Sequence, residues 1–408
     1  MLKAISNTLI LGIGQMTYSV YQHWDPLRVC AVGRSYPPEF YSFITNSRVR
    51  AVMERIAQET EEDYQKLISV LEKFNVKIIR ADLDQDLSKY RANDKGFRPN
   101  LMTPRDYTAM IGDKFFMPTP NLFNPLDKLT NRWDEIRGNF WPGQAPKSPE
   151  EFDAMPDWIK EELDQVYNIT PAVYTDIIQD HRPLLPLETD VSAQGNEIIY
   201  NTGVSTATMV RMGRDLYFGT KAYDDDLPAV KEKYSAMFPN HRCHVINTGG
   251  HADGVLCAAN PGLLISLRDV PDYANTFPDW EVVYLPNQSW NAIPQWLELK
   301  AKNRGKWWVP GEELNDEFTD YVEGWMNHWV GYVEESVFDV NMLVIDKKNI
   351  ICNNYNEAVF KAFDRYGITP HIVNFRHRYF WDGGLHCITS DLHREGVMED
   401  YFPERDLT

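Results

Sequence analysis

The 408 residues predict an α/β chain made of about five repeats of one unit: strand, tight turn, strand, then a helix and a further strand. Three observations predict it. Four segments pair two short apolar or β-branched runs across a turn of Gly, Asn, Asp or Pro, the residues that favour hairpin geometry. Several of these pairs adjoin a stretch with apolar residues at helical spacing. Each such stretch leads into another short apolar run, and two of them stop at Asn75 and Gly367, as helix ends do. The repetition lies in layout and not in residue identity.

The elements follow in order. A first strand runs from Arg28 to Gly33. Arg48 to Phe74 reads as a helix with Val52, Ile56, Tyr64, Leu67, Ile68 and Leu71 on one face, passing into the strand Val76-Lys77-Ile78-Ile79. Hairpins are expected at Tyr107 to Pro118 (turn Gly112-Asp113), Thr206 to Gly219 (Gly213-Arg214-Asp215), Gly254 to Leu267 (Asn260-Pro261-Gly262) and Val340 to Asn353 (Asp346-Lys347-Lys348-Asn349). Asp226 to Phe238 reads as a helix leading to His244-Val245-Ile246. Asn356 to Tyr366, with Val359, Phe360 and Phe363 on one face, leads to His371-Ile372-Val373. Two stretches rich in Trp, Pro and acids, near 121–190 and 287–335, break the pattern. They read as helical insertions over the core of a single domain spanning 1–408.

Composition narrows the function classes. A net charge of −18 argues against a general nucleic-acid or anionic-membrane binder. Solubility explains it as well as an affinity for small cations does. Cys30, Cys243, Cys257, Cys352 and Cys387 are odd in number and widely spaced, with no CxxC pair. This argues against a disulfide framework or zinc site and fits a reducing cytoplasm. No apolar run is long enough to span a bilayer. Met1 to Met16 is expected to belong to the fold rather than to a leader.

The segment Trp381-Asp382-Gly383-Gly384-Leu385-His386-Cys387 carries the most chemical information, together with Gly249-Gly250-His251-Ala252-Asp253 far upstream. Glycines let a backbone approach a ligand closely. A thiol becomes a nucleophile when a nearby His or positive field stabilises its thiolate. The pair therefore reads as a nucleophile on one loop and its acid/base partner on another. The competing reading of Cys387 is a buried small apolar side chain.

Six segments, in order and at matching spacing, resemble the amidinotransferases of the guanidino-group-modifying superfamily. They are Trp24-Asp25-Pro26-Leu27, Thr103-Pro104-Arg105-Asp106, Met212-Gly213-Arg214-Asp215, His251-Ala252-Asp253, Val340-Asn341-Met342-Leu343 and Gly383-Gly384-Leu385-His386-Cys387-Ile388-Thr389-Ser390-Asp391. The resemblance implies a five-bladed α/β propeller with pseudo-fivefold symmetry and a site in its central channel. It implies a homodimer, small-molecule guanidino donors and amine acceptors, and no cofactor or metal. Cys387 would attack the guanidino carbon, His251 would move protons, and Asp253 would grip the guanidinium nitrogens. Asp106 and Arg105 would line the site, Gly384 and His386 would flank the nucleophile, and Arg268 falls near the family's carboxylate-binding arginine. Read without the family, Asp106 is a turn residue, Arg268 a surface ion pair with Asp269 or Asp272, and His386 a support for its loop.

The chain departs from the family at two places. Ser205 stands where a second catalytic aspartate is expected, and serine can hydrogen-bond but cannot balance a cation. Glu334-Glu335-Ser336 replaces a pair of serines, and two acids there suit a cationic group. Three readings stay open: an amidinotransferase, a guanidino hydrolase of the same superfamily, and a propeller that binds a small cation without turnover.

Overall fold

The computed structural model describes residues 17–91, 97, 102–118, 154–157, 182–201, 204–220, 227–248, 251–267, 273–285, 309–312, 314–326 and 340–406. The segment Met1 to Met16, most of both insertions, Arg268 and Ser336 lie outside them.

Fifteen described strands form five three-stranded sheets. In chain order they are β1 Leu27–Val32, β2 Lys77–Arg80, β3 Ala109–Ile111, β4 Lys114–Met117 and β5 Glu197–Tyr200. There follow β6 Met209–Met212, β7 Asp215–Thr220, β8 Arg242–Asn247, β9 Leu256–Asn260 and β10 Leu263–Ser266. The last are β11 Glu281–Tyr284, β12 Leu343–Asp346, β13 Asn349–Cys352, β14 Thr369–Ile372 and β15 Thr389–Arg394. Four sheets follow the chain (β3-β4-β5, β6-β7-β8, β9-β10-β11, β12-β13-β14), each with an antiparallel hairpin and then a parallel strand. The fifth has the same pattern, but its first strand comes from the chain's end: β15 is antiparallel to β1, and β1 parallel to β2.

Local chemistry accounts for the hairpins and helices. Gly112, Gly213 and Gly262 hold φ of 57, 63 and 86° in their turns, where a side chain is disfavoured. Helix Ser47–Lys73 is capped by Asn46, whose side chain accepts from the Arg48 and Val49 amides. It buries Val52, Ile56, Leu67 and Leu71 and ends before Asn75 at φ 57°. Helix Glu357–Tyr366 has Asn356 as its cap and Gly367, at φ 66°, beyond its end. The reading of 121–190 as an insertion needs one correction. Helix Leu185–Ala193 precedes β5 and places Leu187 and Val191 in one core cluster with Phe115 and Met117 of β4, so it is the helix of the second unit. In the other insertion, helix Asp316–Trp325 lays Phe318 and Val322 into the core beneath helix Ser47–Lys73.

The N-terminal described segment ties the units together. Val20 exchanges backbone bonds with Gly112, and the Tyr21 and Ser19 carbonyls accept from Gly213 and Arg394. At Gly213 a Cβ would meet the Glu399 carbonyl oxygen at 2.0 Å. Gly213→Ala is therefore expected to lose about 2 kcal/mol from clash and positive φ together. Gly367→Ala, whose Cβ meets nothing within 4 Å, should lose about 1 kcal/mol. Urea unfolding of the two variants measures the difference.

Candidate active site

The residues in question sit at corresponding places in the repeat. Each sheet's first strand is preceded by a short loop. Gly383–Cys387 leads to β15, Thr103–Thr108 to β3, Ser205–Thr208 to β6, His251–Val255 to β9, and Val340–Met342 to β12. These loops are hydrogen-bonded in a closed cycle. Arg105 Nε donates to the His386 carbonyl at 2.7 Å, and the Cys387 amide to Asn341 Oδ1 at 3.1 Å. Asn341 Nδ2 donates to the Asp253 carbonyl at 3.1 Å. The Asp253 amide donates to Ala207 O, and the Thr206 amide to Thr108 O, each at 3.2 Å.

Within the cycle Cys387 is buried, its Sγ 3.4 Å from Asp253 Oδ2 and 3.0 Å from Asn341 Nδ2. Burial pushes its thiol well above the ordinary value, and the negative charges of Asp253 and Asp106 add to the rise. A Gly384 backbone hydrogen bond and the Asn341 amide oppose it. Asp253 is itself buried, which alone would raise its pKa. The hydrogen bond from His386, together with the charges of His386, His251 and Arg105, more than offsets burial and lowers it below the ordinary carboxylate value. That bond joins His386 Nδ1 to Asp253 Oδ2 at 3.0 Å. Burial, and then the charge of Arg105, bring His386 down to about 4. The imidazole is thus neutral at pH 7, with its proton on Nδ1 facing the carboxylate. Burial raises the Asp106 carboxyl, Asp253 raises it further, and His251 acts against both. His251 Nδ1 lies 3.7 Å from Asp106 Oδ1, and its side chain is 54% exposed.

Beneath the loop is a buried ion cluster. Asp391 in β15 accepts two bonds of 2.7 Å from Arg211 and one of 2.7 Å from Arg394. Arg105 lies 3.2 Å from the same carboxylate. All four side chains are essentially without solvent. Burial alone would raise Asp391, but the three guanidinium groups hold it well below the usual carboxylate range. His23 lies behind, its Nε2 accepting from the Arg211 amide at 3.1 Å.

The structure thus brings Cys387, Asp253, His386 and Gly384 together, with Asp106 and His251 paired beside them. Arg105 is fully buried under the nucleophile loop. Ser205 is buried in the β6 loop, its carbonyl accepting from Thr208 Oγ1 at 3.0 Å. Sequence reasoning gave no role to Asn341, Arg211, Arg394 or His23. For Asn341 a signal existed: it is the one polar residue in the run Val340 to Ile345. Among the described residues no group of three or more His, Cys, Asp and Glu is arranged to hold a metal ion. No described helix is long and apolar enough to cross a membrane.

The fold matches that of SxtG, an amidinotransferase from Microseira wollei, with a TM-score of 0.55 at 16% identity, covering 95% of this chain and 100% of that one. No protein-family model matches. The mitochondrial glycine amidinotransferase of Xenopus tropicalis is 21% identical over 413 residues, covering 94% of this chain and 84% of the relative. The L-arginine:L-lysine amidinotransferase of Pseudomonas savastanoi pv. phaseolicola is 29% identical over 222 residues, covering 53% of this chain and 51% of the relative. The chain is similar to amidinotransferases along nearly its whole length.

Proposed function

We propose that the protein moves an amidino group from arginine or a related guanidino donor to an amine such as glycine, through a covalent intermediate on Cys387. One observation carries this reading. A buried thiol lies 3.4 Å from one carboxylate, Asp253, and the negative charge of a second, Asp106, also acts on the thiol to raise it. Such a pair suits a planar cation held against a sulfur nucleophile.

By themselves the carboxylates disfavour a thiolate. A guanidinium bound between them offsets their charge and lets the thiol ionise. The proton leaves sulfur for His251, and the thiolate forms a bond to the guanidino carbon. The C–N bond to the donor amine breaks as His251 returns the proton to that nitrogen. The acceptor amine then attacks the amidino carbon, gives a proton to His251, and the C–S bond breaks to restore the thiolate. In this scheme His386 stays neutral and orients Asp253, and Arg105 supports the loop from below. Ser205, Arg268 and Ser336 are proposed to contribute to substrate contacts.

The closed cycle of loop hydrogen bonds and the exchange of β15 into the first sheet support a closed five-bladed propeller as the architecture. Five free cysteines suit a reducing compartment, and we assign the protein to the cytoplasm on that ground. A homodimer is part of the same proposal, on family likeness.

Intact mass spectrometry after incubation with arginine, with and without glycine, tests the reaction. An amidino adduct is expected on the wild type and not on Cys387→Ala, and glycine should discharge it. An adduct lost equally fast without an amine would instead identify a guanidino hydrolase of the same superfamily, whereas Ser205 in place of a carboxylate favours a propeller that binds a small cation without turnover. No adduct with arginine or other guanidino donors would overturn the covalent reading.

A further inference from the structure

We propose that Asn341 is the positioning residue of this site: it fixes the Cys387 loop and supplies the hydrogen bond that stabilises the thiolate. The inference rests on Cys387 being the nucleophile.

Asn341 is 1% exposed and uses its whole hydrogen-bonding capacity. Its Oδ1 accepts from the His386 amide at 2.9 Å and the Cys387 amide at 3.1 Å. Its Nδ2 donates to the Asp253 carbonyl at 3.1 Å and to Cys387 Sγ at 3.0 Å. The chemistry of the partners sets the orientation of the amide. Two backbone N–H groups can only donate, so the atom facing them is oxygen, and nitrogen must face the sulfur. One side chain thereby joins the nucleophile loop to the loop of the carboxylate opposite it. It is also the side chain through which the β12 loop joins the cycle around the site.

The bond to sulfur acts differently on the two thiol states. A neutral thiol can donate to Asp253 and accept weakly from Asn341. On ionisation the S–H donor is gone, and Asp253 repels the sulfur. The Asn341 N–H bond then becomes charge-assisted and strengthens. The contact therefore favours the state that attacks carbon, in a pocket whose carboxylates act against it. A residue holding only loop shape would accept the two amides and need no donor toward sulfur.

The test separates these two duties. Asn341→Asp keeps an oxygen for the two backbone amides and replaces the donor by an oxygen. Asn341→Ala removes the donor without adding charge. Iodoacetamide alkylation of Cys387 is followed against pH by peptide mass spectrometry, with thermal unfolding of each variant alongside. We expect the midpoint of the alkylation profile to rise by about one pH unit or more in both variants. Below the midpoint this is a rate about tenfold or more lower, the scale of a lost hydrogen bond to a charged group. The shift should be larger in Asn341→Asp. Unmoved midpoints in variants that unfold at their own temperatures would overturn the proposal and leave Asn341 a structural residue. Alkylation needs no guanidino substrate. A shifted midpoint in a protein that forms no amidino adduct would therefore sustain Asn341's part and overturn the proposed reaction alone.

Discussion

Asp253→Asn is expected to lower amidino transfer by about a thousandfold and, at the same time, to make Cys387 easier to ionise. The two effects share one cause. The Asp253 carboxylate is buried, bonded to His386, and 3.4 Å from the sulfur. In the proposed reaction it is also the main partner of the guanidinium. Removing one member of a buried, hydrogen-bonded charge pair costs about 2–5 kcal/mol, and each 1.4 kcal/mol is about tenfold in rate. Its charge is, after burial, the first cause that raises the Cys387 thiol. Neutralising it lowers that pKa, so iodoacetamide should react faster at pH 8 while turnover collapses. The Asn341 variants move the thiol in the opposite direction. Parallel alkylation and turnover assays on Asp253→Asn measure both quantities. Slower alkylation in that variant would mean that Asp253 stabilises the thiolate, and the proposed part played by substrate charge would fail.

The parts of this fold that were legible are those set by neighbours in sequence. A positive-φ glycine between two apolar runs specifies a hairpin locally, and Gly112, Gly213 and Gly262 each mark one. Asn356 and Gly367 bracket their helix by cap chemistry that spans only a few residues. β15 was not legible. Thr389–Arg394 has no apolar alternation, yet all six residues are buried. Its charges are matched by partners on distant strands, Arg211 above all, and no local pattern encodes such matching. Its pairing with β1 joins opposite ends of the described chain. The helix Leu185–Ala193 was read as part of an insertion because the acidic, Pro-containing stretch before it hid the boundary.

The site divides in the same way. Cys387 and Asp253 stood out because each lies in a short polar or glycine-rich loop beside a His, a pattern visible within a few residues. The pairing of Asp253 with His386, rather than with His251 two positions away, depends on how two loops meet. Asn341 was visible as a polar residue in an apolar run. Its function required knowing that the Cys387 and Asp253 loops converge on it.

Asp391→Asn is expected to lower stability by about 3–5 kcal/mol, the cost of removing one partner from a buried ionic group. The carboxylate is fully buried and faces Arg211, Arg394 and Arg105. An asparagine there leaves three guanidinium groups without the charge that balances them. The pH dependence has a definite sign. The folded-state pKa of Asp391 is held well below the ordinary carboxylate value, so its contribution is fully present above the unfolded value of about 3.9. It is lost as pH falls through the lower folded value, because the unfolded chain then binds the proton more readily. Urea unfolding at pH 7, 5 and 4 should find the variant weaker by a nearly constant amount. The gap should narrow only at more acidic pH. A loss under about 1 kcal/mol at pH 7 would show that other groups balance the arginines. Arg394 sits in β15 with Asp391 and reaches the Asp25 and Val344 carbonyls. Arg105 touches the Asp391 carboxylate and, through Nε, the carbonyl of His386. The cluster therefore joins the pairing of the C-terminal strand to the placement of the nucleophile loop. Cys387 alkylation in Asp391→Asn should change even at temperatures where the variant remains folded.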